Sequence, residues 1–162
     1  MSLPARADTT VDGGAIVSYP TGASSFSDAL VIGHSGAGTV NINNGAFVTI
    51  NTTNGSTASR IEIGNGAGSN GTLNINGGTL AVNIAGGPTA GTSIGRIWVG
   101  GGRDNTAGGT GTLNLSSGLI NFVPVVAGTG NYGGLAIGRG VGVLGTVNQT
   151  GGTIRFDSGG AI

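Results

Sequence analysis

The sequence predicts an all-β protein, a right-handed parallel β-helix (a solenoid) of about four and a half coils with three short strands per coil. The first observation is a tetrapeptide, Gly-Thr-Val/Leu-Asn, whose copies follow one another at intervals of 33, 40 and 34 residues. The second is that runs of alternating apolar and polar residues flank each copy. The third is the Gly content, 37 of 162 residues. Such periods are typical of repeat proteins whose units stack on one another.

The tetrapeptide forms the centre of each unit, and we call it strand B. Its alternation places Leu73 and Ile75 on one face and Thr72 and Asn74 on the other, as in a half-buried strand. The four copies begin at Gly38, Gly71, Gly111 and Gly145. In the last copy Gln149 occupies an apolar position, so we expect the strand to fray there or Gln149 to find an internal partner.

A partial copy of strand B, Thr10 to Gly14, supplies the predicted leading half-coil. Strand A precedes each full copy, and strand C follows it after a glycine-rich turn. The A segments are Leu30–Gly33, Ile61–Gly64, Ile97–Gly100 and Leu135–Gly138, and the C segments are Phe47–Ile50, Leu80–Val82, Ile120–Phe122 and Ile154–Phe156. A propeller blade needs four strands and its own signatures, and a sandwich needs a two-residue turn in every unit. Like residues at the same phase favour the solenoid, in which they stack about 4.8 Å apart.

Composition and charge exclude several classes of function. The formal net charge is zero, so the chain lacks the basic footprint of a nucleic-acid-binding protein. The sequence contains no apolar run of 18 residues and therefore does not predict a membrane-spanning helix. We expect an N-terminal segment, 1–9, in which Ala5-Arg6-Ala7 has the form of a signal-peptidase site, and a single repeat domain, 10–162. Length differences between units lie in the loops at 83–93 and 124–132, which should bulge from one edge.

The stretch from Leu30 to Gly45 resembles repeats of autotransporter passenger domains and of bacterial surface proteins that carry exosortase-sorting (PEP-CTERM) tails. The resemblance covers about residues 10–156. It implies an extracellular β-helical stalk or adhesin segment at the bacterial cell surface. Because neither a translocator barrel nor a sorting tail is present, we expect an excerpt of a longer surface protein or a short member that assembles with copies of itself.

The residues that carry chemistry are few, and we predict no enzyme, no cofactor, no catalytic residues and no metal ligands. Glycine-rich turns lead into strands rather than helices, which does not suit phosphate binding. The six carboxylates form no pair at equivalent positions, and His34 is the only histidine. A candidate ligand or partner patch lies on strand A, where Arg60, Glu62, Arg96 and Trp98 should face outward. It suits a glycan, so a carbohydrate-binding or carbohydrate-cleaving β-helix of the tailspike or pectinase kind is the alternative function.

The outward face of strand B is the most regular polar array. Stacked Asn side chains can form hydrogen-bonded ladders that support the fold, whereas a flat Thr/Asn array also suits ice binding, our third hypothesis. The array consists of Thr39, Asn41, Thr72, Asn74, Thr112, Asn114, Thr146 and Asn148. The leading hypothesis is a non-enzymatic structural or adhesive segment that self-assembles end to end into a fibre, since the open ends of a solenoid can stack on further copies.

Overall fold

The computed structural model describes residues 9–27, 29–51, 60–84, 94–102, 108–124 and 132–157. All regular secondary structure in these ranges is β-strand, as the sequence predicts. The strands are β1 (Thr9–Val11), β2 (Ala15–Tyr19), β3 (Gly22–Phe26), β4 (Ala29–Ile32), β5 (Ala37–Asn43), β6 (Ala46–Ile50), β7 (Arg60–Ile63), β8 (Asn70–Ile84), β9 (Ile94–Val99), β10 (Thr110–Pro124), β11 (Tyr132–Ile137), β12 (Leu144–Gln149) and β13 (Thr153–Phe156). Residues 1–8 of the predicted N-terminal segment, and 85–93 and 125–131 of the predicted loops, lie outside the described residues.

The strands form two sheets in which the neighbours pair in parallel. The first sheet has the order β1-β4-β7-β9-β11 and takes one strand from each unit. The second has the order β12-β10-β8-β5-β2, with β3 and β13 pairing beside it on β6 and β10, and β6 pairing in turn with β8. Because parallel neighbours come from successive units, every pairing crosses from one repeat to the next. This arrangement is compatible with a parallel β-helix.

The register confirms the predicted phase of the repeat. Thr72 pairs with Thr39 on one side and with Thr112 on the other, and Thr112 pairs with Thr146. In the third and fourth units, strands B and C run on as one strand, β8 or β10, with register irregularities at the predicted turn. Gly77 takes up this irregularity with a φ of 93°, which an L side chain rarely adopts.

The predicted leading half-coil is wrong, because the first unit has three strands. Thr10 and Val11 pair with Val31 and Ile32, so they belong to strand A rather than to strand B. The B and C positions of this unit are filled by β2 and β3, which pair with β5 and β6. The described chain therefore contains five units. Residues 10–14 resemble the tetrapeptide and were therefore assigned to strand B. In fact Asp12 stands where later units have the glycine that ends strand A.

Glycine recurs at two points of each corner for different physical reasons. At the end of strand A the glycines have positive φ: Gly33 (71°), Gly64 (71°), Gly100 (74°) and Gly138 (67°). Their N–H groups donate to the preceding unit, as Gly64 does to the Ile32 carbonyl at 2.8 Å. At the start of strand B the limit is space, because a Cβ on Gly71 would lie 2.1 Å from the Ile32 oxygen. The glycine content thus reflects a corner that recurs in each unit after the first.

The core contains side chains from both sheets, and they come from the alternating apolar positions of the strands. Leu30, Ile61, Leu73, Leu80 and Ile97 are among the side chains with no solvent exposure. Gln149 is the polar exception in an apolar column and lies in the last unit. It stays in β12, paired with Leu115, and its Nε2 donates to the Gly152 carbonyl at 3.2 Å. β12 therefore does not fray at Gln149, whose side-chain amide instead bonds to a backbone carbonyl in the turn that follows.

Candidate functional site

The Thr and Asn positions of strand B form two columns on the outer side of the second sheet. All four Thr residues are half-buried, as are three of the Asn residues, and Asn148 in the last unit is exposed. The predicted array thus exists, one Thr and one Asn per unit in strict register.

The Asn column is a continuous hydrogen-bonded ladder with one direction. The Nδ2 of Asn74 donates to the Oδ1 of Asn41 at 2.8 Å, Asn114 donates to Asn74 at 2.8 Å, and Asn148 donates to Asn114 at 2.9 Å. In the first unit Ser18 takes the Asn position and accepts from Asn41 at 3.1 Å. The predicted hydrogen-bonded Asn ladder is therefore present. Each bond contributes about 1 kcal/mol net, and together the bonds resist a shift in register.

A second, shorter ladder links Asn83, Asn51 and Ser25, in or next to the C strands of three units, and was missed from the sequence. Asn83 donates to Asn51 at 2.5 Å, and Asn51 donates to the Ser25 hydroxyl at 2.8 Å. The available signal was the Asn that directly follows the last apolar residue of strand C, at Ile50-Asn51 and Val82-Asn83.

The four residues of the predicted patch come together on the first sheet. Arg60 pairs in register with Arg96, and Glu62 with Trp98. The Nε of Arg60 lies 3.3 Å from the Glu62 Oε1, so the ion pair within the patch is present. The predicted neighbourhood is therefore confirmed, and ligand binding by it stays a prediction.

The expected exposure of this patch is wrong for two of its members. Glu62 is 4% exposed and Trp98 is 2% exposed, although both point away from the core cluster. Alternation along a strand gives the direction of a side chain but not what covers it. Backbone approaches Glu62 closely, since a Cβ on Gly102 would lie 3.3 Å from its Oε2. Because Trp98 is so little exposed, the indole face that would stack on a sugar is not open to solvent, and its Nε1 has no hydrogen-bond partner among the described residues.

A polar chain links this patch to the adjacent corner. The Nδ2 of Asn65 donates to the Glu62 carboxylate, and the Asn65 Oδ1 lies 2.9 Å from the His34 Nδ1, which fits the tautomer with a proton on Nδ1. Asn65 and His34 both follow a corner glycine, and this shared phase was the signal that sequence reasoning did not use. Glu62 is thus held by its neighbours, a structural role for a buried carboxylate.

The corner of the first unit is fastened by Asp12. Its carboxylate accepts from the Ser35 hydroxyl at 2.5 Å, the Ser35 N–H at 2.8 Å and the Gly36 N–H at 2.7 Å. The Ser35 hydroxyl contributes most, and with the backbone N–H groups it holds the pKa of Asp12 well below its usual range. Asp12 occupies the position of the corner glycine in later units, and its carboxylate holds the next unit through these hydrogen bonds.

Within the described ranges, no three His, Cys, Asp or Glu side chains are grouped so that they could hold a metal ion. The same residues contain no helix long and apolar enough to cross a membrane. Comparisons with protein-family models, with curated proteins and with solved structures gave no match to the chain. The site is therefore interpreted from its own geometry.

Proposed function

We propose that this chain is a non-enzymatic, structural segment of a bacterial surface protein, folded as a right-handed parallel β-helix that extends or spaces what it is attached to. One observation carries the proposal: each unit pairs with the next in the same register, from β1 to β13, so that every column continues along the stack. Parallel crossovers are right-handed in nearly all proteins, which gives the handedness.

The distribution of side chains suits a spacer better than a site for chemistry. The buried columns are apolar, and the Asn amides on the outer face are used in hydrogen bonds between units. Each added unit lengthens the stack by one strand spacing, about 4.8 Å, without changing its surface. Length then scales with the number of repeats, as a stalk requires. The resemblance of Leu30–Gly45 to repeats of surface proteins supports the extracellular location.

A glycan array tests the proposal against the carbohydrate alternative. We expect no glycan to bind the wild-type chain above background, because Trp98 and Glu62 are covered. Trp98→Ala and Glu62→Gln, each checked for retained β-structure by circular dichroism, should behave like wild type. A glycan signal that both folded variants lose would replace the structural function with carbohydrate recognition.

Ice binding is the third candidate, and the Thr column favours it. Thr39, Thr72, Thr112 and Thr146 lie in register on adjacent strands, which sets their spacing at about 4.8 Å. Thermal hysteresis measures this function directly. Thr72→Tyr should abolish hysteresis if the column binds ice, whereas Thr49→Tyr, on strand C, serves as the matched control. A wild-type chain without hysteresis eliminates this candidate.

A further inference from the structure

We propose that Asn44 is a site of self-modification, where the chain converts the side-chain amide to aspartate or isoaspartate through a cyclic imide. The reaction requires an Asn whose side-chain carbonyl carbon can be reached by the backbone nitrogen of the next residue, and Gly hinders this approach least because it has no Cβ. Asn-Gly pairs occur five times in the chain, at Asn44, Asn54, Asn65, Asn70 and Asn76. Asn54 lies outside the described residues, and the structure distinguishes Asn44 from the other three.

The conversion uses only atoms of the chain and water. The Gly45 backbone nitrogen loses its proton and attacks the Asn44 Cγ, and the side-chain nitrogen takes up a proton and leaves as ammonia, which closes a succinimide ring. Water then cleaves one of the two bonds between the ring nitrogen and a carbonyl carbon. Cleavage at Cγ gives aspartate, whereas cleavage at the backbone carbonyl carbon gives isoaspartate, in which the chain runs through Cγ. No oxidant or reductant is consumed.

Asn44 and Gly45 form the exposed turn between β5 and β6. Among the described residues, neither the Asn44 amide nor the Gly45 N–H has a hydrogen-bond partner. The Gly45 carbonyl accepts from the Gly22 N–H at 3.0 Å, which holds the turn without engaging the attacking nitrogen. Gly45 also has room to move, because the nearest described atom to an added Cβ is a Thr21 methyl carbon at 3.5 Å. The two reacting groups can therefore approach each other without breaking a hydrogen bond of their own.

Asn65, by contrast, is held at both reacting groups. Its Nδ2 donates to the Glu62 carboxylate and its Oδ1 lies 2.9 Å from the His34 Nδ1, so the side chain cannot turn without losing both contacts. The Gly66 N–H, which would be the attacking group, donates to the Ser69 hydroxyl at 3.1 Å. Ring closure at this pair must therefore break the bonds of the amide and of the backbone nitrogen.

Asn70 and Asn76 lie within β8, whose backbone is paired with strands of both neighbouring units. The Asn70–Gly71 peptide is packed against the preceding unit, since a Cβ on Gly33 would lie 2.7 Å from its oxygen and from its nitrogen. The Asn76 Oδ1 accepts from the Ser116 hydroxyl at 2.8 Å, which fixes the carbonyl that would be attacked. Both pairs should therefore react more slowly than the pair in the open turn.

The product differs from the original chain in charge and in backbone length. The formal net charge of the chain is zero, so one added carboxylate separates the two forms by ion exchange. Isoaspartate also lengthens the turn by one backbone atom beside the following unit, where a Cβ on Gly77 would lie 3.1 Å from the Asn44 Cβ. The conversion thus introduces a negative charge at a contact between units without the action of an enzyme.

Peptide mapping by mass spectrometry, after incubation of the folded wild-type chain at mildly alkaline pH, follows each pair separately. Conversion at Asn44 should be at least about tenfold faster than at Asn65, because hydrogen bonds that must break before ring closure raise the barrier. Both aspartate and isoaspartate should appear, and the rate should rise with pH, since the attacking nitrogen must lose its proton. Equal rates at the described pairs, or a faster conversion at Asn65, would overturn the inference.

The unfolded chain and one variant test whether the structure causes this order. In urea, where the fold is lost, the pairs should react at similar rates, and a preference for Asn44 that persists there would overturn the structural cause. Ser69→Ala removes the acceptor of the Gly66 N–H and should raise the rate at Asn65 while the rate at Asn44 stays the same.

Ion exchange gives a second readout in a chain that carries Asn54→Gln, so that the pair outside the described residues is silent. Asn44→Gln, whose longer side chain closes a ring far more slowly, should abolish the early acidic species. The matched change Asn76→Gln should leave that species in place. An acidic species that forms at the original rate in the folded Asn44→Gln chain would contradict the assignment. None of these results bears on the proposed structural function, which the glycan array tests separately.

Discussion

Replacement of the tetrapeptide glycine of the third unit, Gly71→Ala, is expected to destabilise the protein by about 3 kcal/mol. An added Cβ would lie 2.1 Å from the Ile32 oxygen and 2.4 Å from the Gly64 nitrogen, and both are backbone atoms. These two atoms form the 2.8 Å hydrogen bond that joins successive units. Relief of the clash must break that bond, which costs about 1 kcal/mol, and strain the packed corner, which costs about 2 kcal/mol.

Two further alanine variants separate the cost of a steric clash from the cost of holding a non-glycine residue at positive φ. Gly68 has a φ of +72°, and no atom of the described residues lies within 4 Å of an added Cβ, so Gly68→Ala should cost only the left-handed conformation, about 1 kcal/mol. Gly64 combines a φ of +71° with a 2.1 Å approach to the Thr110 oxygen, so Gly64→Ala should cost the most, about 4 kcal/mol. The expected order of destabilisation is Gly68, then Gly71, then Gly64.

Urea unfolding followed by far-ultraviolet circular dichroism measures the three values on the same scale. Repeat proteins can lose cooperativity, so the slope of free energy against urea must match that of wild type before the values are compared. If Gly71→Ala destabilises no more than Gly68→Ala, the close approach between units is refuted, and the stacked corner with it.

Three further predictions follow from the polar contacts. Asn74→Ala removes two ladder bonds and should lower the free energy of unfolding by about 2 kcal/mol, whereas Asn148→Ala, at the exposed end, should cost less than about 1 kcal/mol in the same urea assay. Because the pKa of Asp12 is lower in the folded than in the unfolded chain, its carboxylate stabilises the fold at pH values above the unfolded-state pKa, and this contribution is lost as the pH falls below about 4. The stability of Asp12→Asn should therefore fall less steeply with acidification than that of wild type when unfolding is measured against pH. Equal slopes would contradict the Ser35 contact. Glu62→Gln removes the buried charge opposite Arg60 and should cost about 3 kcal/mol in urea, and an unchanged stability would show that the pair is not buried.

The repeat was predictable because the same corner glycines recur in four units. A glycine at the end of strand A and another at the start of strand B are both sterically required, so they recur at the same phase. Alternation then gave the inward residues, such as Leu73 and Ile75, which are fully buried. Where a unit solves the corner differently, the prediction failed: Asp12 fastens the first corner by hydrogen bonds, and the phase of that unit was misread.

The candidate site was predicted only in part, because burial depends on the whole fold. Period two correctly placed Glu62 and Trp98 on the face opposite the core and beside each other. It carried no information about which other residues approach that face, so their burial was missed. The Asn ladder was predicted correctly because its partners lie at the same phase of adjacent units, whereas the link from Asn65 to His34 depends on corner geometry.

Distances between spin labels along one column test the central claim, in-register parallel stacking, most directly. Cysteine pairs at Thr72/Thr112, Thr39/Thr112 and Thr39/Thr146 span one, two and three unit steps in a chain that has no other Cys. In samples diluted with unlabelled protein, electron paramagnetic resonance should give distances that increase by about 4.8 Å per step. Distances that do not increase in equal steps, or a Thr39/Thr146 distance no longer than that of Thr39/Thr112, would contradict the stacked repeat.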